Sequence, residues 1–163
     1  MTMLKYYLRT TLLLIMATMS VNCWASSLLC SQGPTAPIQG EGNQWPIYKC
    51  TIPANAIVTL KAIRVTVGIR HVIGTQAVDY VIYLNGVSAV GSNVVPLDQY
   101  FDVTILNTGS TTGAAAGIVP GTLSEDSLMS GLSWASNQTL QVTFAVPNSD
   151  FVEGILFTVE AID

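Results

Sequence analysis

The sequence predicts an all-β fold, a single antiparallel β-sandwich of jelly-roll or immunoglobulin-like type with seven or eight strands and little helix. Apolar and polar residues alternate with a period of two, most clearly at Leu140, Val142 and Phe144. Asn85-Gly86 separates two β-rich runs and favours a type I′ hairpin turn. Turn residues divide the chain into short runs of this kind, which is typical of sandwiches.

Residues 1–25 have the pattern of a secretory signal peptide. Lys5 and Arg9 precede the apolar run TLLLIMATMSV, and Cys23 and Ala25 are small residues at the −3 and −1 positions of a cut before Ser26. The run is shorter than the roughly 20 residues of a membrane anchor. We therefore expect a mature domain of residues 26–163 that is secreted, periplasmic or held at the cell surface. A buried helix or an uncleaved anchor is the alternative.

The predicted cut removes Cys23 and leaves an even pair, Cys30 and Cys50. Oxidising compartments favour pairing of such cysteines, so we predict a disulfide between them. The bridge would close a loop of roughly 20 residues and pin an irregular Gly/Pro/Gln-rich arm, residues 31–46, to the domain. Two free thiols are the alternative. The spacing does not match a metal site, and we predict no cofactor.

Charge and composition restrict the partners. The formal net charge is −4 for the full chain, and the removal of Lys5 and Arg9 would make it −6. This balance argues against binding of nucleic acid or anionic lipid. Charged residues are 10% of the chain, against about 25% in ordinary domains. A surface of small polar residues suits an extracellular module that contacts a protein or a glycan, without stable insertion into a membrane.

The mature basic residues all precede the acidic part of the chain. If they form one patch, copies of the domain would associate head to tail through opposite charges, although chance placement of so few charges is an alternative. The residues of this predicted assembly surface are Lys49, Lys61, Arg64 and Arg70.

Several local features are predicted with definite positions. A change of phase in the strand over residues 56–69 indicates a bulge or twist near Ala62-Ile63. Residues 107–122 are rich in Gly, Thr and Ala and are expected to be a mobile loop, followed by a short helical turn over residues 123–132. In the hairpin we expect three cross-strand pairs: Leu84 with Val87, Tyr83 with Ser88, and Ile82 with Ala89.

Residues for catalysis are sparse. His71 is the single histidine, and Ser133 lies in GLSWA, which differs at its last residue from the G-x-S-x-G motif of a nucleophile elbow. In proteins with that motif the histidine follows the serine in the chain, whereas His71 precedes Ser133. Glycoside hydrolysis needs two carboxylates, and the candidate pairs are better explained as loop and capping residues: Glu125 with Asp126, Asp98 with Asp102, and Asp150 with Glu153. Residues 148–153 lack the spacing of a calcium-binding loop. We predict that the protein is not an enzyme.

The leading hypothesis is an exported, non-enzymatic module that acts through surface contacts, as a subunit of a surface structure or as an adhesin-like domain. The alternative is a small carbohydrate-binding domain, because exposed aromatic rings stack against the C–H-rich faces of sugars. Tyr80 and Trp134 are the rings that we select as ligand-binding candidates. Core packing is the competing role for each of them.

Overall fold

The computed structural model describes residues 27–42, 44–58, 61–74, 77–94, 99–119, 122–148 and 150–162, so the predicted signal peptide lies outside the described residues. The regular structure of the described part consists of eleven β-strands, and it includes no helix that is long and apolar enough to cross a membrane. The strands are β1 (Ser27–Gln32), β2 (Ile38–Gln39), β3 (Gln44–Ile52), β4 (Ala62–Ile73), β5 (Val78–Leu84), β6 (Val87–Val94), β7 (Gln99–Gly109), β8 (Thr112–Val119), β9 (Thr122–Ser130), β10 (Gln138–Ala145) and β11 (Phe151–Ile162).

The strands form two antiparallel sheets that pack as a sandwich. The larger sheet has the order β1-β11-β4-β7-β8-β9, with β2 beside β11, and the smaller has the order β3-β10-β5-β6. The pairs β1/β11, β3/β10, β4/β7 and β5/β6 are nested, as in one long hairpin wrapped over two sheets. This is jelly-roll connectivity, so the predicted sandwich is confirmed. The β8–β9 hairpin is an addition that widens the larger sheet.

The core lies between the two sheets and follows the predicted alternation. Leu140, Val142 and Phe144 are fully buried on the inner face of β10. Two aromatic stacks join the sheets: Tyr48 of β3 on Phe157 of β11, with ring centroids 5.0 Å apart, and Tyr80 of β5 on Phe101 of β7, at 4.4 Å. These contacts fix the smaller sheet against the larger one.

The β5–β6 hairpin turns at Asn85-Gly86, whose φ angles of 53° and 81° are both positive, as a type I′ turn requires. Leu84 pairs with Val87 and Tyr83 with Ser88, as predicted. The third predicted pair is wrong, because Ile82 lies opposite Val90 instead of Ala89. A register shift at this point lets both Ala89 and Val90 enter the core.

The bulge predicted at Ala62-Ile63 is also wrong. Strand β4 begins at Ala62 and pairs with β7 in continuous register from there. The register shifts lie instead in its pairing with β11, between Phe151 and Val152 and between Gly154 and Leu156. The apparent change of phase in the sequence therefore marks the start of the strand.

The segment 107–122, predicted to be a mobile loop, contains the end of β7, the whole of β8 and the first residue of β9. Its small residues suit close approach of the strands: a Cβ on Gly117 would lie 2.8 Å from a methyl of Val103. The predicted helical turn is replaced by β9, where Met129 is buried and Leu128 points to solvent. Pairing with β8 provides hydrogen-bond partners for the backbone N–H and C=O groups of β9. A single helical turn would leave most of these groups without a partner inside the turn.

The arm over residues 31–46 is irregular only in part. It contains the end of β1, the short β2 and the first residues of β3. Between these strands, Thr35 N donates to Gly154 O at 3.0 Å and Gly40 N donates to Asp150 O at 2.8 Å. The arm is therefore held along the edge of β11 by backbone hydrogen bonds.

Tyr80 provides a prediction about the core. Its hydroxyl is buried without a hydrogen-bond partner, and burial raises the pKa of Tyr80 from 10.0 to about 12. Tyr80→Phe removes this unsatisfied group, so the free energy of unfolding should rise by about 1 kcal/mol at neutral pH. The phenol of the unfolded chain ionises at a lower pH than that of the folded chain, so the free energy of unfolding of the wild type should fall as the pH rises from 10 towards 12. The free energy of unfolding of the variant should fall less, because the variant lacks this phenol. Urea titrations at both pH values measure this, and a variant less stable than wild type at neutral pH would contradict it.

Candidate functional site

The outer face of the larger sheet carries an unbroken row of apolar side chains across five strands. Cross-strand pairing places its members side by side, in the order Ile162, Ala62, Leu106, Ala114 and Leu128. These five residues are named the apolar row. All five are at least partly exposed, and Leu128 at the end of the row is 89% exposed. A leucine so exposed on a strand is available for contact with another molecule.

A groove lies in this face between two leucines. Small residues of β8 and β9, including Ala114, Ala116 and Ser127, separate Leu106 from Leu128, and the resulting depression has a volume of about 370 Å³. The Ser127 hydroxyl donates to the Ala89 carbonyl, which ties β9 to the edge of the smaller sheet. The groove and the protruding Leu128 are therefore neighbours on a braced part of the fold.

The charges beside the apolar row neutralise one another. Arg64 lies directly across from Glu160 in the β4–β11 pairing, and its Nε lies 2.9 Å from both carboxylate oxygens of Asp102. Hydrogen bonding to Asp102 and the charge of that carboxylate raise the pKa of Arg64 above its ordinary value. Further along β4, Arg70 lies 2.8 Å from Glu153. Acids and bases thus alternate on this face without forming a patch of one sign.

The four residues of the predicted assembly surface are not brought together. Arg64 and Arg70 lie on the outer face of β4 in the larger sheet, and Lys61 immediately precedes that strand. Lys49 is exposed on the outer face of β3, in the other sheet. The prediction of one basic patch therefore finds no support in these positions.

The two aromatic rings selected as ligand-binding candidates are both in the core. Tyr80 is 1% exposed and Trp134 is 6% exposed. The Trp134 indole N–H donates to the Thr112 carbonyl at 2.9 Å, and the residue reaches the surface only at a depression of about 250 Å³ beside Asn55. Neither ring presents an open face for stacking. The described aromatic side chains with large exposure are Tyr100 and Trp45.

Cys30 and Cys50 are adjacent, as the predicted disulfide requires. Cys30 lies on β1 and Cys50 on β3, which are edge strands of different sheets. Both are free thiols in the structure, and burial, followed by the hydrogen bond with Cys30, raises the pKa of Cys50 from 9.0 to about 12. A bond here would join the sheets at their open edge, and the disulfide stays a prediction.

The residues considered for catalysis occupy structural positions. His71 Nε2 lies 3.3 Å from Asp150 Oδ2, without hydrogen-bond geometry, and both side chains are more than nine-tenths buried. This pair connects β4 with the turn before β11. Within the described residues, no three His, Cys, Asp or Glu side chains are grouped as a metal site would require.

Comparisons with known proteins give only remote similarities. No protein-family model and no curated protein matches the sequence. Among solved structures, the CBM2 module of the evolved Dit of Lactobacillus casei BL23 phage J-1 is similar with a TM-score of 0.40 and 9% identity, over 85% of this chain and 97% of that one. Peanut lectin, solved with a nine-residue peptide, has a TM-score of 0.36 and 8% identity, over 87% of this chain and 93% of that one. The fold assignment rests on the strand order of the two sheets.

Proposed function

We propose that the chain is an exported, non-enzymatic binding module whose outer face on the larger sheet associates with a second copy, as in a subunit of a surface structure. The observation that carries the proposal is the apolar row that ends in the exposed Leu128. Contiguous apolar patches of this kind are rare on monomeric proteins and mark interaction sites. The signal-like pattern of residues 1–25 supports export.

A second copy fits this face because the protruding Leu128 and the groove beside it lie together on the face. In a twofold arrangement the same patch is used by both partners, so the Leu128 of each copy could enter the groove of the other. The charges agree with such an arrangement, because Arg64 has Glu160 and Asp102 beside it on the same face. A rotated copy can then place an acid opposite a base.

The size of the face also suits a stable contact. Six strands side by side at about 4.8 Å give a width of about 29 Å, and eight residues at about 3.4 Å give a length of about 27 Å. The resulting planar area of roughly 800 Å² is large enough to provide a standard interface, which buries about 800 Å² of accessible surface on each partner.

The proposal predicts self-association that depends on Leu128. In sedimentation-velocity runs over a concentration series, the mature protein should move towards a dimer, and Leu128→Asp should weaken the dimer at least about tenfold, because it would bury an unpaired carboxylate. Thr51→Asp, at an exposed position of the smaller sheet, is the matched control and should associate like wild type. Both variants should keep wild-type stability within about 1 kcal/mol.

Salt distinguishes this contact from a head-to-tail association of opposite charges. Apolar association should persist or strengthen in sodium sulfate, whereas attraction between exposed charges is screened over about 8 Å at physiological ionic strength. A mature protein that stays monomeric at every concentration, or a dimer that dissociates with rising salt, would refute the proposed contact.

A further inference from the structure

The outer face of the smaller sheet has a different chemistry from that of the larger one. A straight cross-strand row of polar side chains spans all four strands, with Lys49 opposite Gln141, Gln141 opposite Tyr83, and Tyr83 opposite Ser88. Lys49 and Ser88 are exposed, and Gln141 and Tyr83 are half-buried. This face is not involved in the proposed self-association.

The Tyr83 side chain extends along this face towards β3. Its hydroxyl donates to Gln44 Oε1 at 3.2 Å, although Tyr83 is on β5 and Gln44 is on β3, with β10 between them. The partners of these residues on β10 are Gln141 and Ala145, so the contact crosses one whole strand and spans four residues along it. Two side chains can bridge such a distance only if both are extended over the sheet.

Thr143 supports this orientation. It lies on β10 between Gln141 and Ala145, at the midpoint of the line from Tyr83 to Gln44, and the alternation of β10 places it on the outer face. It is nevertheless only 4% exposed. Its cross-strand neighbours Val81 and Pro46, the hydrogen bond from its hydroxyl to the Val81 carbonyl, and a Tyr83 side chain directed towards Gln44 together account for the burial of this outward-facing residue. With the hydroxyl held at Gln44, one face of the half-buried ring would lie against the sheet and the other would be towards solvent.

We infer that this platform is a binding site for a neutral hexopyranose unit of a glycan. The flat C–H-rich face of a pyranose complements an open aromatic ring. The Gln141 amide can donate and accept, and the Lys49 ammonium can donate, so the hydroxyl groups around the sugar would find partners at the edge of the ring. An apolar ligand would leave these polar groups without partners.

The site is independent of the proposed self-association, because it lies on the opposite sheet. It also uses neither Tyr80 nor Trp134, the rings that the sequence suggested for the same class of ligand. Leu128→Asp should therefore bind sugar like wild type, so a failure of one proposal can be told apart from a failure of the other.

The test is titration of the mature protein with the methyl glycosides of glucose, galactose and mannose, followed by saturation-transfer and ¹⁵N NMR. At least one glycoside should bind in the millimolar range and shift the amides of Gln141 and Tyr83. Tyr83→Ala should weaken binding at least about tenfold, and Tyr83→Phe, which keeps the ring and loses the tether to Gln44, should weaken it less. Tyr100→Ala, which removes an exposed tyrosine from the other face, is the control and should bind like wild type.

Two results would overturn the inference. One is the absence of binding by all three glycosides while the wild-type spectrum is that of a folded protein. The other is binding that survives Tyr83→Ala with unchanged affinity, because the sugar would then lie elsewhere on the domain.

Discussion

Gly74→Ala should destabilise the domain by about 3 kcal/mol or more, as measured by urea denaturation. Gly74 has φ +129°, a conformation that L side chains rarely adopt, and a Cβ there would lie 2.0 Å from the Asp150 carboxyl carbon. Asp150 is buried, and its backbone is fixed by hydrogen bonds to Pro147 and Gly40, so it has little freedom to retreat. Strain and overlap therefore act together at one position.

Gly33→Ala is the control for that experiment. No atom lies within 4 Å of a Cβ built at Gly33, and its φ is outside the strained range. Its free energy of unfolding should stay within about 0.5 kcal/mol of wild type. Equal stability of the two variants would show that the packing of Gly74 against Asp150 is not what the structure indicates.

The second large effect concerns Cys30 and Cys50. If exported protein contains the predicted disulfide, Cys30→Ser and Cys50→Ser should each lower the free energy of unfolding by about 3 kcal/mol, and the double variant by no more than either single variant. If the thiols are free, Cys30→Ser should leave the free energy of unfolding almost unchanged, and only Cys50→Ser should lower it. Cys50 is buried and Cys30 is half-exposed, so only Cys50→Ser would then bury a new hydroxyl. Alkylation followed by mass spectrometry establishes the redox state directly.

The pH dependence of the free energy of unfolding is an independent measure of whether Cys50 is a thiol or part of a disulfide. Because burial raises the pKa of Cys50 to about 12, the unfolded chain loses this proton first, near its ordinary value of 9.0. The stability of the reduced protein should therefore decline as the pH rises from 9 towards 12. Oxidised protein should lack this contribution, and identical profiles for the two forms would contradict it.

The sandwich could be predicted because its signals are local. The alternation of Leu140, Val142 and Phe144 marks one buried face of β10, and Asn85-Gly86 determines a turn whatever surrounds it. The choice of the jelly-roll over an immunoglobulin-like order depends on which strands pair across the whole chain. Pairing such as β1 with β11 is set by distant contacts that no local pattern reveals.

The sites were harder to predict because they depend on the side of the sheet. Apart from Asp79, which shares its phase with Tyr83, both phases of β5 are apolar or aromatic, so the sequence gives only one residue that distinguishes the inward Tyr80 from the outward Tyr83. Once Ile82 and Leu84 are known to be buried, the period of two assigns Tyr80 to the core and Tyr83 to the outer face.

The apolar row was missed for a different reason. Ala114 and Leu128 fall in segments that we interpreted from composition as a mobile loop and a helical turn. Small residues lower the apparent strand propensity, yet they are what allows β8 and β9 to lie close to their neighbours and leaves a groove between larger side chains. Apolar residues at alternate positions, Ala114 with Ala116, were the available signal, and the signal was weak because alanine is small and the polar Thr104 shares the phase of Leu106.

The most direct test of self-association through the larger sheet is a concentration series of ¹⁵N NMR spectra of the mature protein. As the concentration rises, amide shifts and line broadening should be concentrated at Thr104, Leu106, Ala114, Ala116 and Leu128, while Lys49, Gln141 and Tyr83 on the other sheet should not change. Spectra that are independent of concentration, or changes confined to the smaller sheet, would contradict the proposed function.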